Sequence, residues 1–449
     1  MSGPAMQRAP SVSIWLLLCL LLGVAAPAFG QILPPVQVPN LPGLPTDELN
    51  RTVNDTVSGT LRAADPQQLR EVRRLRIREL LRNNRTGLEA DPRGAPIVRS
   101  EVVALSPSPA ALESARAEGF NVGRTRTLEG LDATIVVLQA PRGMSTRRAL
   151  QRLRQLDPGG VYDFNHVYLD SGVVADGAAE PPAANSVPPG SPVRGVRVGL
   201  IDGGVQRNHP VFRDVSIHEH GCAGGNVPSA HGTAVASLLV GHADHFSGVA
   251  VGAELYSADV YCGLATGGAV DAVADAFAWM SRERVPVINI SLVGPANGLL
   301  EQLVRLVTVR GHIVVAAVGN DGPGAQPLYP AAYPAVIAVT GVDAHRRVLI
   351  EACRGSHVDF AAPGADMAAA GLAAEFSLVR GTSFAAPIAA GLFARELTEV
   401  DRARADAAVA ALTSQAIDLG TRGPDKVYGN GLVGDSLRPS PELAKVTAR

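Results

Sequence analysis

Aromatic side chains are scarce in this chain, 4% of 449 residues, although 46% are hydrophobic. A core built with so few rings has to be filled by small aliphatic groups, chiefly Ala and Val. An excess of one charge is also missing: 40 Lys and Arg stand against 42 Asp and Glu, a formal charge of -2. That balance argues against a nucleic-acid binder, which needs a basic face. Beyond the first thirty residues no segment holds 18 uninterrupted apolar residues, so none there is long enough to anchor the chain as a membrane-spanning helix.

The N-terminus reads as a secretory signal over residues 1–30. Arg8 precedes an apolar run from Val12 to Val24, and Ala28-Phe29-Gly30 offers the small residues a signal peptidase reads. Cys19 follows leucines rather than the small residue a lipoprotein site wants, so no lipid anchor is expected. The mature protein is expected to be exported, secreted or periplasmic.

Residues 31–95 form a Pro-rich and Arg-rich pro-segment. From Leu61 to Arg93 there are nine Arg against five acidic residues, and Leu69, Val72, Leu75, Ile77, Leu80 and Leu81 recur at near-helical spacing. A solvated amphipathic helix is the expectation; contact with an acidic membrane surface is the sharper alternative. Residues 96–175 alternate as strand (98–105), helix (109–118), a strand pair (121–139), helix (145–156) and strand (162–169), a βαββαβ pattern that predicts a small ferredoxin-like α+β unit. Residues 176–192, rich in Ala, Pro and Gly, read as a linker and the expected processing site.

From residue 193 to about 440 the periodicity changes again. Apolar runs near 196–201, 254–260, 285–291, 312–318 and 335–340 alternate with helix-like stretches near 231–240, 268–282, 298–310, 383–397 and 403–415. This predicts an α/β domain, a parallel sheet covered by helices on both faces. Such sheets carry their sites at the carboxyl ends of the strands.

Four motifs fall in this domain. Arg380-Gly381-Thr382-Ser383-Phe384-Ala385-Ala386-Pro387-Ile388 sets a serine in a Gly turn at the mouth of an apolar helix, where unpaired backbone N–H groups and the helix dipole favour negative charge. Pro387 is expected near the first turn, where its missing N–H costs little. A serine needs a base to take its proton and a group to orient that base. His231 opens the small-residue helix His231-Gly232-Thr233, and Asp202 ends the strand-like Val196–Ile201 run before Gly203-Gly204. Asn320, in Gly319-Asn320-Asp321-Gly322 after another apolar run, can donate its amide to an oxyanion. Each residue alone has a commoner structural use, as helix cap, core histidine or turn former; all four in one order do not.

Together these motifs resemble the subtilisin-like serine proteases, from about Val193 to Val433. The resemblance implies that Ser383 is the nucleophile, His231 the general base and acid, Asp202 its orienting partner, and Asn320 with the Ser383 N–H the oxyanion hole. It implies further that Ser291, Leu292 and Val293 pair with the substrate backbone, with Gly267 and Gly268 on the other side and Tyr261 near the pocket two residues before the cut. Asp321 would favour a basic side chain at the cut, and Leu328 would make that pocket shallow. The βαββαβ unit would be the family's pro-domain, chaperone and inhibitor of its own protease. Substrates would be proteins or peptides, with no cofactor.

Two positions depart from the family. Gly203 replaces the usual Ser or Thr, which predicts looser orientation of Asp202. Val211 stands where many members have a calcium-ligating Asp, so no metal is expected there. Of the cysteines, Cys222, Cys262 and Cys353 remain after signal removal. Cys222 with Cys262 is the expected pair, both lying in loops that border the site; the connectivity is open in the sequence, and one thiol is left over. His218-Glu219-His220-Gly221-Cys222 also has zinc-like spacing, without a clear fourth ligand. A second function class stands beside the enzyme: a non-catalytic or permanently inhibited binding module.

Overall fold

The structure is a computed structural model that describes residues 66–175 and 192–446. The signal region 1–30, the pro-segment up to 65 and the linker 176–191 lie outside the described residues.

Seven parallel strands form the main sheet, in the order Phe360–Pro363, Ile337–Val342, Ile313–Ala317, Val287–Ile290, Arg197–Asp202, Glu254–Asp259, Ile217–Gly221. The inner strands are apolar along nearly their whole length because both faces are covered. Helices Ala230–Val240 and Thr382–Glu396 pack on one face and Val270–Arg282 and Gly298–Val309 on the other. Both cores are built largely of Ala, Val and Leu, with a few rings such as Phe277 and Phe384.

All five apolar runs and all five helices expected in this domain are present, with ends shifted by at most two residues. Two sheet strands were not legible. Ile217–Gly221 is Ile-His-Glu-His-Gly, an edge strand with no buried residue, and Phe360–Pro363 is four residues long and two of them are Ala. Neither offers a hydrophobic period to read.

Residues 96–166 form an antiparallel sheet in the order Val161–His166, Pro96–Leu105, Ala133–Gln139, Asn121–Leu128. Helices Pro109–Ala117 and Thr146–Leu156 cover one face through Leu150, Leu153 and Ala115. This is the ferredoxin-like βαββαβ arrangement. Its other face, through Val103, Leu128, Ile135 and Val137, joins the core around helices Val270–Arg282 and Gly298–Val309. Strand Val161–His166 also serves those helix starts: Asp163 accepts from the Gly298 N–H at 2.8 Å and Asn165 from the Asp271 N–H at 3.3 Å. Helix Val270–Arg282 begins at Ala269, which has no capping side chain, so Asn165 supplies one.

The folded N-terminal unit begins earlier than residue 96. Strand Leu88–Ala90 pairs with Pro96–Val98, and helix Pro66–Asn83 precedes it. Ile77, Leu80 and Leu81 of that helix pack against Leu88, Val98, Val167, Leu169 and Ala269. The apolar stripe that suggested a membrane surface is therefore turned onto protein, with Leu75 left 42% exposed. Among the described residues no helix is long and apolar enough to cross a membrane.

Candidate active site

Asp202 ends its strand and His231 lies in the first turn of helix Ala230–Val240, which Ser229 caps by accepting from the Gly232 N–H at 2.9 Å. The helix approaches the strand closely because Gly232 has no side chain: a Cβ there would fall 2.2 Å from the Gly203 carbonyl oxygen. The His231 Nδ1 lies 2.9 and 3.0 Å from the two Asp202 oxygens. Both side chains are almost fully buried, 8% and 1% exposed. Asp202 has a further contact in place of the hydroxyl that Gly203 lacks. Its carboxylate also accepts from the Gly203 N–H at 2.7 Å, and a Cβ on Gly203 would fall 2.3 Å from Ser229 Oγ, so that hydroxyl occupies the space a side chain would need.

Burial works to lower the His231 pKa, but the Asp202 charge and hydrogen bond, joined by Asp170, outweigh it and hold the imidazolium above its ordinary value. The Nε2 of His231 makes no protein hydrogen bond.

Ser383 is the second residue of helix Thr382–Glu396, after Gly381 at φ 139°. Its Oγ lies 2.6 Å from Ser171 Oγ and donates to the Ser291 carbonyl at 3.3 Å. Pro387 is the sixth residue of the helix rather than a first-turn residue, so it removes the N–H that would reach the Ser383 carbonyl. Ser291 Oγ donates to that carbonyl instead, at 3.1 Å. The Asn320 side-chain oxygen accepts from the Thr382 N–H at 3.1 Å, which turns its amide nitrogen toward Gly381. A Cβ on Gly381 would fall 2.9 Å from Asn320 Nδ2, 3.1 Å from Gly172 Cα and 3.2 Å from the Ser171 carbonyl oxygen. Only glycine lets these groups meet.

The cleft is filled by the chain's own residues 167–175. Tyr168 N–H donates to the Gly268 carbonyl at 2.8 Å, and the Tyr261 hydroxyl donates to the Tyr168 carbonyl at 3.2 Å. Leu169 and Asp170 pair antiparallel with Val293 and Leu292. Beyond Gly172, strand Val173–Ala175 pairs antiparallel with Phe376–Arg380. Ser171-Gly172 thus lies between two strand-paired stretches, against Ser383 and His231. A Cβ on Gly172 would fall 2.6 Å from the Phe384 ring and 3.1 Å from His231 Nε2.

The structure therefore brings Asp202, His231, Ser383, Asn320, Ser291, Leu292, Val293, Gly268 and Tyr261 around one segment. Gly267 closes the preceding loop, its N–H on the Leu264 carbonyl, and a Cβ there would fall 2.4 Å from the Tyr261 carbonyl oxygen. Asp321 forms an ion pair with Arg73 at 3.3 Å. Leu328 closes against Gly319. The cleft residues that sequence reasoning missed are Arg73, Arg76, Asp170, Ser171 and Gly172; the one hint was the strand-forming Val173-Val174-Ala175 directly after the βαββαβ pattern.

Cys222 and Cys262 form a disulfide beside Tyr261, and Cys353 is a buried thiol elsewhere in the core. Among the described residues one cluster, Cys222, Asp259 and Cys262, has metal-ligand composition. Its sulfurs are bonded to each other and Asp259 accepts from the Val227, Tyr261 and Cys262 N–H groups, so it does not fit an ion. His218 faces Glu254 and stacks on Tyr256, whereas His220 bonds Asp275 and stacks on Trp279, so the two histidines do not converge. Val211 is buried in the core.

The family model described as the subtilase family matches residues 193–431. The minor extracellular protease Epr of Bacillus subtilis is 28% identical over 54% of this chain and 38% of its own length. Subtilisin DY of Bacillus licheniformis is 31% identical over 53% of this chain and 88% of its own. Among solved structures, fervidolysin of Fervidobacterium pennivorans, a keratinolytic enzyme related to subtilisin, superimposes with a TM-score of 0.62 at 18% identity, over 76% of this chain and 61% of that one. The chain belongs to the subtilase family.

Proposed function

We propose that this chain is the precursor of an exported serine endopeptidase and that its first substrate is its own Ser171–Gly172 bond. Ser383 Oγ attacks the Ser171 carbonyl carbon while His231 Nε2 takes the proton. The Asn320 amide and the Ser383 N–H hold the oxyanion. His231 then protonates the departing Gly172 nitrogen, and water, with His231 as base, releases Ser171 from the acyl-enzyme. Asp202 keeps the imidazole oriented throughout. The unit ending at Ser171 remains in the cleft as product and inhibitor until it is removed. Protein and peptide substrates then add as a strand beside Ser291, Leu292 and Val293 on one side and Gly268 on the other, with Tyr261 bordering the position two residues before the cut.

The observation that carries this reading is the strand pairing of residues 167–175 on both sides of Ser171-Gly172. It favours this bond over the 176–192 stretch for the first cut, although later trimming there is compatible with it. Intact mass and N-terminal sequencing of wild type beside Ser383→Ala test the proposal. A wild type that begins at Gly172, with Ser383→Ala left whole, is the expected result. An uncut wild type that also ignores a fluorophosphonate probe would return the weight to a non-catalytic binding module.

A further inference from the structure

Helix Pro66–Asn83 lies outside the βαββαβ unit, yet its arginines reach the cleft. Arg76 forms an ion pair with the Asp170 carboxylate, and its second Nη lies 3.4 Å from the Asp170 carbonyl oxygen. One guanidinium fork thus reads both the side chain and the backbone of one residue. Arg73, one turn earlier, donates to the Val293 carbonyl at 3.3 Å and pairs with Asp321. The helix is therefore tied to the strand that Leu169 and Asp170 pair with, as well as to Asp170 itself.

Asp170 is the residue before Ser171, in the second position on the acyl side of the proposed cut. A carboxylate there is electrostatically costly. It faces the His231 and Asp202 couple, and Tyr261 borders the same space. Like charges brought together in a partly desolvated cleft disfavour ionisation unless a cation stands between them. The cations facing Asp170 are Arg76, Arg73 and His231; the charged groups facing His231 are the carboxylates of Asp202 and Asp170 and the guanidinium of Arg76. Without Arg76, only Arg73 would remain to offset the Asp170 charge, which would bear more strongly on the imidazole and favour its protonated, inactive form.

Resting on the self-cleavage reading above, we propose that Arg76 is a specificity-determining residue for that cleavage: it supplies the cation that allows an acidic side chain two positions before the scissile bond. It leaves with the N-terminal unit. The mature cleft, where Asp202 and Tyr261 border this position and the helix no longer supplies a cation, then discriminates against acidic residues there. The precursor would thus accept in its own chain a sequence that the mature enzyme rejects in others.

The test compares the full chain as wild type, Arg76→Gln, Asp170→Asn and the double variant. Each is made by a pulse of cell-free synthesis, shifted to pH values from 5.5 to 9, and timed by intact mass. Arg76→Gln is expected to slow the Ser171–Gly172 cut about tenfold at pH 7 and to move the acid limb up by about one pH unit, the equivalent of one unit in the base. Adding Asp170→Asn should bring the limb back and restore most of the rate, since the charge that needed a partner is gone. In a second arm, mature enzyme is given Tyr-Leu-Asp-Ser-Gly-Val and Tyr-Leu-Asn-Ser-Gly-Val peptides, and the Asn peptide should have about tenfold higher kcat/KM. Arg76→Gln cleaving with the wild-type rate and pH profile would overturn the proposal. So would a double variant as slow as Arg76→Gln, which would make Arg76 a structural tie, or equal use of the two peptides. A wild type cut elsewhere, or not cut, overturns the self-cleavage reading itself and is distinguished by the control lane.

Discussion

The Ser291 hydroxyl donates to the Ser383 carbonyl oxygen, 3.1 Å away, taking the place of the helical N–H that Pro387 lacks. A proline four residues after the proposed nucleophile leaves a buried acceptor in the first turn, and a side chain from the neighbouring strand satisfies it. Ser291 Oγ is itself approached by Asn289 Nδ2 at 3.0 Å, and the Ser291 carbonyl accepts from Ser383 Oγ. Asn289, Ser291 and Ser383 are one hydrogen-bonded unit. Ser291→Ala should leave a buried carbonyl unpaired, at about 1–3 kcal/mol. Urea unfolding in a Ser383→Ala background, which removes self-digestion, checks the stability cost.

The pH dependence of cleavage follows from His231. Asp202 and Asp170 hold its pKa above the ordinary value even though burial works the other way. The base must be neutral to accept a proton, so a raised pKa moves the acid limb upward. Self-cleavage should therefore rise with pH through a midpoint above about 6.5, the unperturbed histidine value. Rates of the Ser171–Gly172 cut at constant ionic strength measure that midpoint; one well below 6.5 would contradict the assignment.

Ser171 Oγ lies 2.6 Å from Ser383 Oγ, while His231 Nε2 makes no protein hydrogen bond. With the Ser383 hydrogen on the Ser291 carbonyl, the Ser171 hydroxyl donates to Ser383 Oγ and occupies a lone pair of the attacking oxygen. Ser171→Ala should accelerate self-cleavage by roughly fivefold, the worth of one ordinary hydrogen bond of about 1 kcal/mol. Timed intact mass of the two precursors gives the ratio.

Asp359 offers a stability test far from the chemistry. Burial pushes its pKa up to about 6, with the Ala338 N–H pulling the other way through a 2.8 Å hydrogen bond. The folded-state value lies above the unfolded one, so the folded chain holds the proton more tightly and stability increases as pH falls from about 6 toward 4. At pH 8 the ionised group costs on the order of 3 kcal/mol. Asp359→Asn keeps an acceptor for Ala338 without the charge. It should raise the melting temperature of the Ser383→Ala protein at pH 8 by a few degrees, and the gain should vanish near pH 4.

The limits of the sequence are visible in particular residues. Leu200, Val314 and Leu303 belong to long apolar runs whose period shows in one dimension, and the strands and helices they belong to were legible for that reason. Cys222 with Cys262 was expected from the loops they sit in, and they are joined. Ser229 filling the space beside Gly203, and Ser291 covering for Pro387, could not be read, because each depends on two segments meeting whose separation along the chain carries no pattern.

Local chemistry along the chain determined most of the strands and helices and which four side chains carry the subtilase motifs, since apolar period, glycine turns and motif order are all short-range properties. Tertiary structure alone decided what lies in the cleft. Asp170, Ser171 and Gly172, with Arg76 on Asp170, belong to no motif; they lie beside Ser383 and His231 because the N-terminal sheet docks on helices Val270–Arg282 and Gly298–Val309 and the segment after it pairs with Leu292–Val293 and then with Phe376–Arg380. That outcome is set by long-range packing and strand register, which no single stretch of sequence contains.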